Sequence, residues 1–364
     1  MKVVLVADKP SAVAPMIKAV MSVYPEYDVD DFLVYHRHRF INLNRMFKFS
    51  HGHKYAEHPL LEDAMYHDFF TCDETDTIFK SAHSVIVDAT MGDHIKRVPI
   101  DGSDTIEFVV NNFTNAERIY VGFSSRYDGD PHLQLRLRDW LRSHSVNCRE
   151  LTLSNWASFS HMDTVAAIEK AKYIEYDDLL TLATPSIIKR YFDFNFLQNS
   201  FAVMQKTAQE SIGNPLQQNL KKHELQMLYN IRSGPLRNGG QLVLAMMNWT
   251  GTGRYDSRNG SFGSPSSRAN YIEVLIANGL VKRTPADVHM EHGCTIDNVV
   301  ISEKGLRFLD WLHPDCEDPD QVFRIEEWSH LPFGEAKVKI DRYIKTYFGK
   351  QKRFLVQKLA ESSK

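Results

Sequence analysis

Val3-Val4-Leu5-Val6-Ala7-Asp8-Lys9-Pro10-Ser11 opens the chain, and its reading decides the architecture. The four-residue apolar run reads as a strand, Asp8 to Ser11 as the turn that ends it, and Val13, Ile17 and Val20 recur at helical spacing. The pattern returns twice. Val85-Ile86-Val87 runs into Asp88-Ala89-Thr90-Met91-Gly92, and Ile119-Tyr120-Val121 runs into Ser124-Ser125-Arg126 ahead of a helix stripe at Leu133, Leu137 and Leu141. Alternating buried strands and helices predict an α/β sheet over residues 1–153, with its functional loops at the carboxyl ends of the strands.

From about Thr164 the periodicity turns mainly helical, through Val165, Ile168, Leu179, Leu182, Ile187 and Ile188, so residues 154–364 read as a second, helix-rich domain. Two stretches dense in Gly, Ser, Asn and Arg, 230–240 and 249–267, read as loops, the second long enough to be mobile or ordered by a ligand. Ser266-Ser267 then suits an N-cap, Ile272, Leu275 and Ile276 a core stripe, and Gly279 the C′ position. With Leu280-Val281, Asn298 to Ile301 and Glu303 to Leu312, this makes a helix, hairpin, helix module of the winged kind. The tail from Arg342 is basic and aromatic, with the spacing of a final helix packed on the body.

The 364 residues are 43% hydrophobic and 24% charged, which excludes extended disorder, collagen and coiled coil. With 43 Lys+Arg against 46 Asp+Glu the net charge is −3, so any nucleic-acid surface must be a local patch. Cys72, Cys148, Cys294 and Cys316 form no C-x-x-C pair, which argues against zinc ribbons and disulfide frameworks. No apolar run approaches the roughly 18 residues of a membrane span, and no leader pattern follows Met1, so a cytoplasmic location is expected.

These segments, in order, resemble the type IA DNA topoisomerases. Val4 to Ala12 resembles the first motif of their TOPRIM domain, and Val85 to Ile95, with Gly92 and His94, the segment ending in Gly-His. Leu151 to Phe196 is similar to the entry into the helical domain. Gln241 to Met247, Gly263 to Ala269 and Gly279-Leu280-Val281 are similar to the Thr-Pro-Ala-Thr-Arg-Ala block and its preceding helix, and Ile301 to Leu312 to the Thr-Glu-Lys-Gly segment. The resemblance implies an α/β + α fold: an N-terminal TOPRIM-like Rossmannoid domain, then a helical domain containing a winged-helix module.

In that family the gate domains and the tyrosine nucleophile lie between the post-TOPRIM helices and the Thr-Pro-Ala-Thr-Arg-Ala block. Here about forty residues, Phe201 to Gly240, fill the interval, whereas compact domains need at least about 50 each. Tyr229, inside it, lacks the family's Tyr-x-Arg-Thr-Asp type motif, and Tyr255 lies in a Gly/Ser loop that does not suit a nucleophile. Asp8 stands where the family has its catalytic Glu. For the Mg²⁺-binding acidic pair, aligning on Leu133 and Leu137 puts Ser125 and Tyr127 at the carboxylate positions; sliding by three residues restores Asp128 and Asp130 but places Arg136 on the buried face. The first register is preferred, so no cofactor is expected; Mg²⁺ enters only with the second.

Candidate binding residues follow from position and type. Lys9, Arg126 and Arg268 sit at strand-to-helix loops or a helix start, where backbone donors also favour phosphate. Arg237, Arg254 and Arg258 lie in Gly-rich loops with Trp249 and Tyr255, a composition suited to neutralising phosphate while stacking unpaired bases. Ser267 and Lys304 complete the set from the two family-like blocks. Arg136, Arg138 and Arg142 form a basic helix face; the pairs His36/His38 and His51/His53 lack the further ligands of a metal site. The expectation is a non-catalytic protein binding single-stranded RNA or DNA with little sequence readout, without membrane insertion. The alternatives are a reduced Mg²⁺-dependent TOPRIM enzyme using Asp8, Asp128 and Asp130, and a scaffold subunit with protein partners in a replication, transcription or RNA-handling assembly. A compact derivative of a large enzyme fits a virus or mobile element.

Overall fold

The computed structural model describes residues 2–7, 10–36, 83–88, 94–102, 105–122, 131–153, 156, 158–263, 265–285 and 297–363. These fall into two compact units that divide between Ile187 and Ile188, later than the expected boundary at 153.

In the first unit, β1 (Val3–Ala7) leads into α1 (Pro10–Val23) and β2 (Phe32–His36), followed by β3 (His83–Asp88), β4 (His94–Pro99), α2 (Ile106–Asn115), β5 (Arg118–Gly122), α3 (Pro131–Ser143), β6 (Leu151–Thr152) and α4 (His161–Glu169). The strands form one sheet in the order β4-β3-β2-β1-β5-β6. β2, β1, β5 and β6 run parallel, while β3 and β4 join antiparallel. All five residues of β1 are at most 1% exposed, as a central parallel strand covered on both faces requires. Alternate side chains point to opposite faces. Val4 and Val6 pack with Val109 and Phe113 of α2 and Leu133, Leu137 and Leu141 of α3. Val3, Leu5 and Ala7 pack with α1 and with Ala167 and Ile168 of α4. α4 thus closes the second layer of this sandwich, which is why the unit extends past 153.

Two elements depart from the expected pattern. Val85 to Val87 lies in a strand, but its successor is β4 and not a helix, paired antiparallel from His83↔Pro99 to Asp88↔His94; the six residues of β4 are too few to carry a helical stripe, and the ladder to β3 sets their form. α2 went unread in the sequence; Thr105 caps it by accepting from Phe108 N at 3.2 Å, and Ile106, Val109, Val110 and Phe113 carry the helical spacing.

α5 (Tyr176–Ile212) spans the division between the units. The second unit continues with α6 (Lys222–Ser233), β7 (Arg237–Asn238), α7 (Gly239–Met247), β8 (Trp249–Thr250), β9 (Asn259–Gly260), α8 (Pro265–Ala277), β10 (Val281–Thr284), β11 (Asn298–Ile301), α9 (Glu303–Asp310), α10 (Gln321–Ser329) and α11 (Phe333–Ser362). β10, β11 and β7 form a three-stranded antiparallel sheet in that order. α8 begins at Pro265, so Ser266 and Ser267 lie in its first turn, not at its cap. It ends as expected: Gly279, at φ 69°, donates to Ile276 O and Leu280 N to Leu275 O, the paired bonds of a left-handed helix stop.

The Ser302-Glu303-Lys304-Gly305 segment has a structural basis in this turn. Ser302 caps α9 by accepting from Gly305 N and donates its own hydroxyl to Gly279 O at 2.6 Å. Gly305 lies so close to Leu280 O that a Cβ there would overlap it, and the same Cβ would stand 2.9 Å from Ile301 Cγ1. Gly305→Ala is therefore expected to cost about 3 kcal/mol, the upper part of the range for overpacking, read as a fall in the urea midpoint at unchanged m-value. A loss under about 0.5 kcal/mol, the range of neutral surface changes, contradicts the packing described.

α11 buries Ala336, Ile340, Ile344, Tyr347, Phe348 and Leu355 on one face, where Tyr343 and Tyr347 meet Phe192 and Phe196 of α5 at 5.8 and 5.3 Å between ring centroids. Gln351, fully buried, accepts from His313 N and donates to Trp311 O and Thr207 Oγ1, which satisfies its amide.

Candidate nucleic-acid interface

The stretch 249–267 is a built element. β8 and β9 pair as Trp249↔Gly260 and Thr250↔Asn259, and a 3-10 turn, Gly253–Tyr255, lies between them. Three anchors pin the hairpin: Trp249 Nε1 donates to Pro319 O at 2.8 Å, Thr252 N and Oγ1 both donate to the Asp320 carboxylate, and Phe262 N donates to Met246 O. Expected as a mobile or ligand-ordered loop, it forms a hairpin tied to the body by these bonds.

Tyr255 forms the floor of its tip. The ring is 2% exposed, stacks on Phe323 of α10 at 5.8 Å and donates its hydroxyl to Glu327 at 2.7 Å. Burial, then the Glu327 carboxylate, push its pKa upward. Arg254 and Arg258 lie over the ring at 4.6 and 5.2 Å from its centroid, and both are exposed to solvent. Arg254 also pairs with Glu327 at 3.2 Å. Two guanidinium groups are thus laid on a rigid aromatic base, which reduces the side-chain freedom they would lose on binding an anion.

The expected stacking rings are placed differently. Trp249 is 7% exposed, and its indole stacks on Phe262 at 4.7 Å; with Tyr255 it belongs to the core of the hairpin, so neither ring offers a free face. The planar groups facing solvent are guanidinium groups, which themselves stack on bases. Arg268 is also internal, at 4% exposure, and donates to Phe262 O, Gly263 O at 2.9 Å and Ser261 Oγ. It satisfies carbonyls of the loop before α8, so a substitution there would test folding more than binding. Ser267 lies half-buried in α8 and hydrogen-bonds Tyr271.

Arg237 leaves the hairpin's tip but joins its base: it shares a cleft of about 340 Å³ with Trp249, Asn230, Asn248 and Glu317, and its guanidinium donates to Asn230 Oδ1 at 2.9 Å. Lys304 stands apart, exposed in the first turn of α9, its Cδ beside the Gly279 turn. Lys9 and Arg126 lie outside the described residues, as do Asp8, Ser125, Tyr127, Asp128, Asp130, His38, His51 and His53. Arg138, expected on a solvent-facing basic helix face, is 3% exposed. Its Nε pairs with the buried Glu150, its Nη1 donates to Ile174 O at 2.6 Å, and it lies over Tyr173 at 4.6 Å. Among the described residues no three His, Cys, Asp or Glu converge as a metal site, and no helix is long and apolar enough to cross a membrane.

Tyr229 is 3% exposed, and burial drives its pKa up; its hydroxyl has no hydrogen-bond partner among the described residues. Beneath the hairpin, His223 has rings on two sides, Phe262 at 4.7 Å and Tyr271 at 5.0 Å. That packing, with Lys222 adding repulsion, lowers its pKa to about 3. The unfolded chain binds the proton near pH 6.5 and the folded one does not, so stability is full above pH 6.5 and falls between 6.5 and 3. His223 as a residue is partly exposed, so the fall should stay below the one-proton limit of about 1.4 kcal/mol per pH unit. In His223→Phe the contribution disappears; chemical denaturation from pH 7 to 4 reads it, and identical slopes in the two proteins would rule it out.

No protein-family model matches the chain, and no curated protein sequence matches it.

Proposed function

We propose that the protein binds single-stranded nucleic acid without cutting it, on a scaffold of the type IA topoisomerase kind, with the β8–β9 hairpin as its principal contact. The observation that carries this reading is the Arg254/Arg258 pair on Tyr255: two exposed, preorganised planar cations suit phosphate and unstacked bases together. The order α6, β7, α7, α8, β10, β11, with sheet order β10-β11-β7, supports reading this part as a winged-helix module. In that module α8 would be the helix offered to a duplex groove. Among its residues of described burial the exposed ones are Ala269, Asn270 and Glu273, a set without cations, which favours single strands over duplex. RNA and DNA both remain substrates of this reading, because phosphate and stacking contacts do not select the sugar.

The test is a fluorescence-anisotropy titration of matched single-stranded RNA, single-stranded DNA and duplex, with plasmid incubation in parallel. Single strands should bind more tightly than duplex, with affinity falling as salt rises, and the plasmid should stay intact with Mg²⁺. Equal or tighter duplex binding contradicts the proposal. One observation favours the runner-up enzyme. β1 and β5 are parallel neighbours with Ala7↔Gly122 in register, at the point where the strand order reverses, so the chain leaves toward Asp8 and toward residues 123–130 from one edge of the sheet. Mg²⁺-dependent nicking abolished in Asp8→Ala would establish that reading instead.

A further inference from the structure

Resting on the nucleic-acid reading, we infer that the outward face of α11 is a second binding surface, which takes the sugar–phosphate backbone of the strand held at the hairpin. Between Lys337 and Lys358 the helix carries eight Lys or Arg and one acid, a net +7 in a chain of net −3, which leaves −10 on the remainder. A solvated helix face normally intersperses the two signs, because like charges at i,i+3 and i,i+4 oppose helix formation by about 0.2–0.5 kcal/mol per pair. Here the one acid, Asp341, is already engaged by Lys337 at 2.9 Å and by the Tyr191 hydroxyl at 2.7 Å, and Lys350 pairs with Asp315.

Lys339, Arg342 and Arg353 are exposed and Lys352 partly so. Among the described residues these four make no ion pair. At 100° per residue Arg342 and Arg353 fall opposite the buried Ile340, Ile344, Tyr347 and Leu355, and Lys339 and Lys352 lie on the two flanks between. From Lys339 to Arg353 the stripe is about 21 Å long, the length of about six phosphates in a stacked strand. It is joined to the hairpin through α10: Glu327 holds Arg254 and Tyr255, and the adjacent Trp328 packs on Tyr343 of α11 at 5.7 Å. A continuous strand could therefore use both surfaces. An anionic membrane fits less well, since the apolar face of α11 is already buried in the protein and only Val338 and Val356 stand out beside the cations.

The experiment compares wild type, Lys339→Gln/Arg342→Gln/Arg353→Gln and Arg254→Gln/Arg258→Gln on short and long single strands across a salt series, with phosphatidylserine vesicles as a second probe. Gln keeps the helix and touches no buried contact, and an unchanged urea midpoint confirms the fold. With about 0.7 counterions released per phosphate, the α11 variant should lose about 2 from the slope of log K against log salt. It should also lose the affinity that wild type gains from lengthening the strand. If wild type binds no strand, the functional reading and this inference fall together. If wild type binds and the hairpin variant loses affinity while the α11 variant keeps the wild-type slope, this inference alone falls. Charge-dependent vesicle binding with an unchanged oligonucleotide slope would overturn it in favour of a lipid surface.

Discussion

Arg254→Gln/Arg258→Gln is expected to bind a single strand of about 16 nucleotides roughly 100-fold more weakly than wild type at about 0.1 M salt. Each guanidinium that contacts phosphate contributes a charge-assisted bond of about 1.5 kcal/mol, so two contacts amount to about two decades of affinity. Gln is the informative substitution because Glu would face Glu327, the acceptor that holds both Arg254 and the Tyr255 hydroxyl. The hairpin should survive the change, since Trp249, Thr252 and Phe262 anchor it through bonds that involve neither arginine. The slope of log K against log salt should fall by about 1.4, two phosphates at about 0.7 each. Affinity within about threefold of wild type would remove the hairpin from the interface. A loss of affinity without a change in salt slope would assign the pair to base stacking and not to phosphate.

The second large effect concerns stability and lies in the first unit. Arg138→Met and Glu150→Leu should each destabilise that unit by about 3–5 kcal/mol, because either change strands the other charge inside the protein. The side chains of the pair are 4% and 1% exposed, and one terminal atom of each, Arg138 Nη2 and Glu150 Oε2, has no hydrogen-bond partner among the described residues. The pair is therefore an imperfectly compensated buried charge pair. Combining the two substitutions should recover most of the loss, since well-packed apolar replacements of buried pairs are often neutral. Urea denaturation of the two single variants and the double reads the cycle. Single-variant losses below about 1 kcal/mol would mean that water reaches the pair.

Arg138 also illustrates what the sequence leaves hidden. Its helix carries one apolar stripe, Leu133, Leu137, Trp140 and Leu141, and buries His132, Gln134 and Leu135 outside that stripe as well, so it is covered on more than one side although its sequence reads as amphipathic. Nothing nearby in sequence announces the partners, however, because Glu150 lies twelve residues on and Ile174 O thirty-six. Arg268 is the same case over a shorter distance: an arginine at a helix start reads as a phosphate anchor, yet the Gly-rich loop before it leaves carbonyls that its guanidinium satisfies. For Trp249 and Tyr255 the sequence offers an aromatic and basic loop but not their burial, since their covers, Pro319, Phe323 and Glu327, come from a segment some seventy residues away.

Local rules carried the rest. The unbroken apolar run of β1, the leucine stripe of α3, the left-handed stop at Gly279 and the amphipathic α11 each depend on neighbours within a turn or two, and each has the predicted form. The helix that the recurring pattern implies after Val85 to Val87 is instead β4, because the ladder to β3, not its own short sequence, completes its pattern. Cation content was visible along the tail, but that Arg342 and Arg353 stand opposite the aromatic core follows only from the helix running unbroken from Phe333 to Ser362.

The central claim, that the hairpin of the second unit holds an unpaired strand, is tested most directly by photocrosslinking the protein to 4-thiouridine-labelled single strands and mapping the adducts by mass spectrometry. The adducts should concentrate in the peptide that contains Arg254, Tyr255 and Arg258, and should vanish there in Arg254→Gln/Arg258→Gln. Adducts confined to residues 1–187, with the hairpin peptide unmodified, would contradict the account.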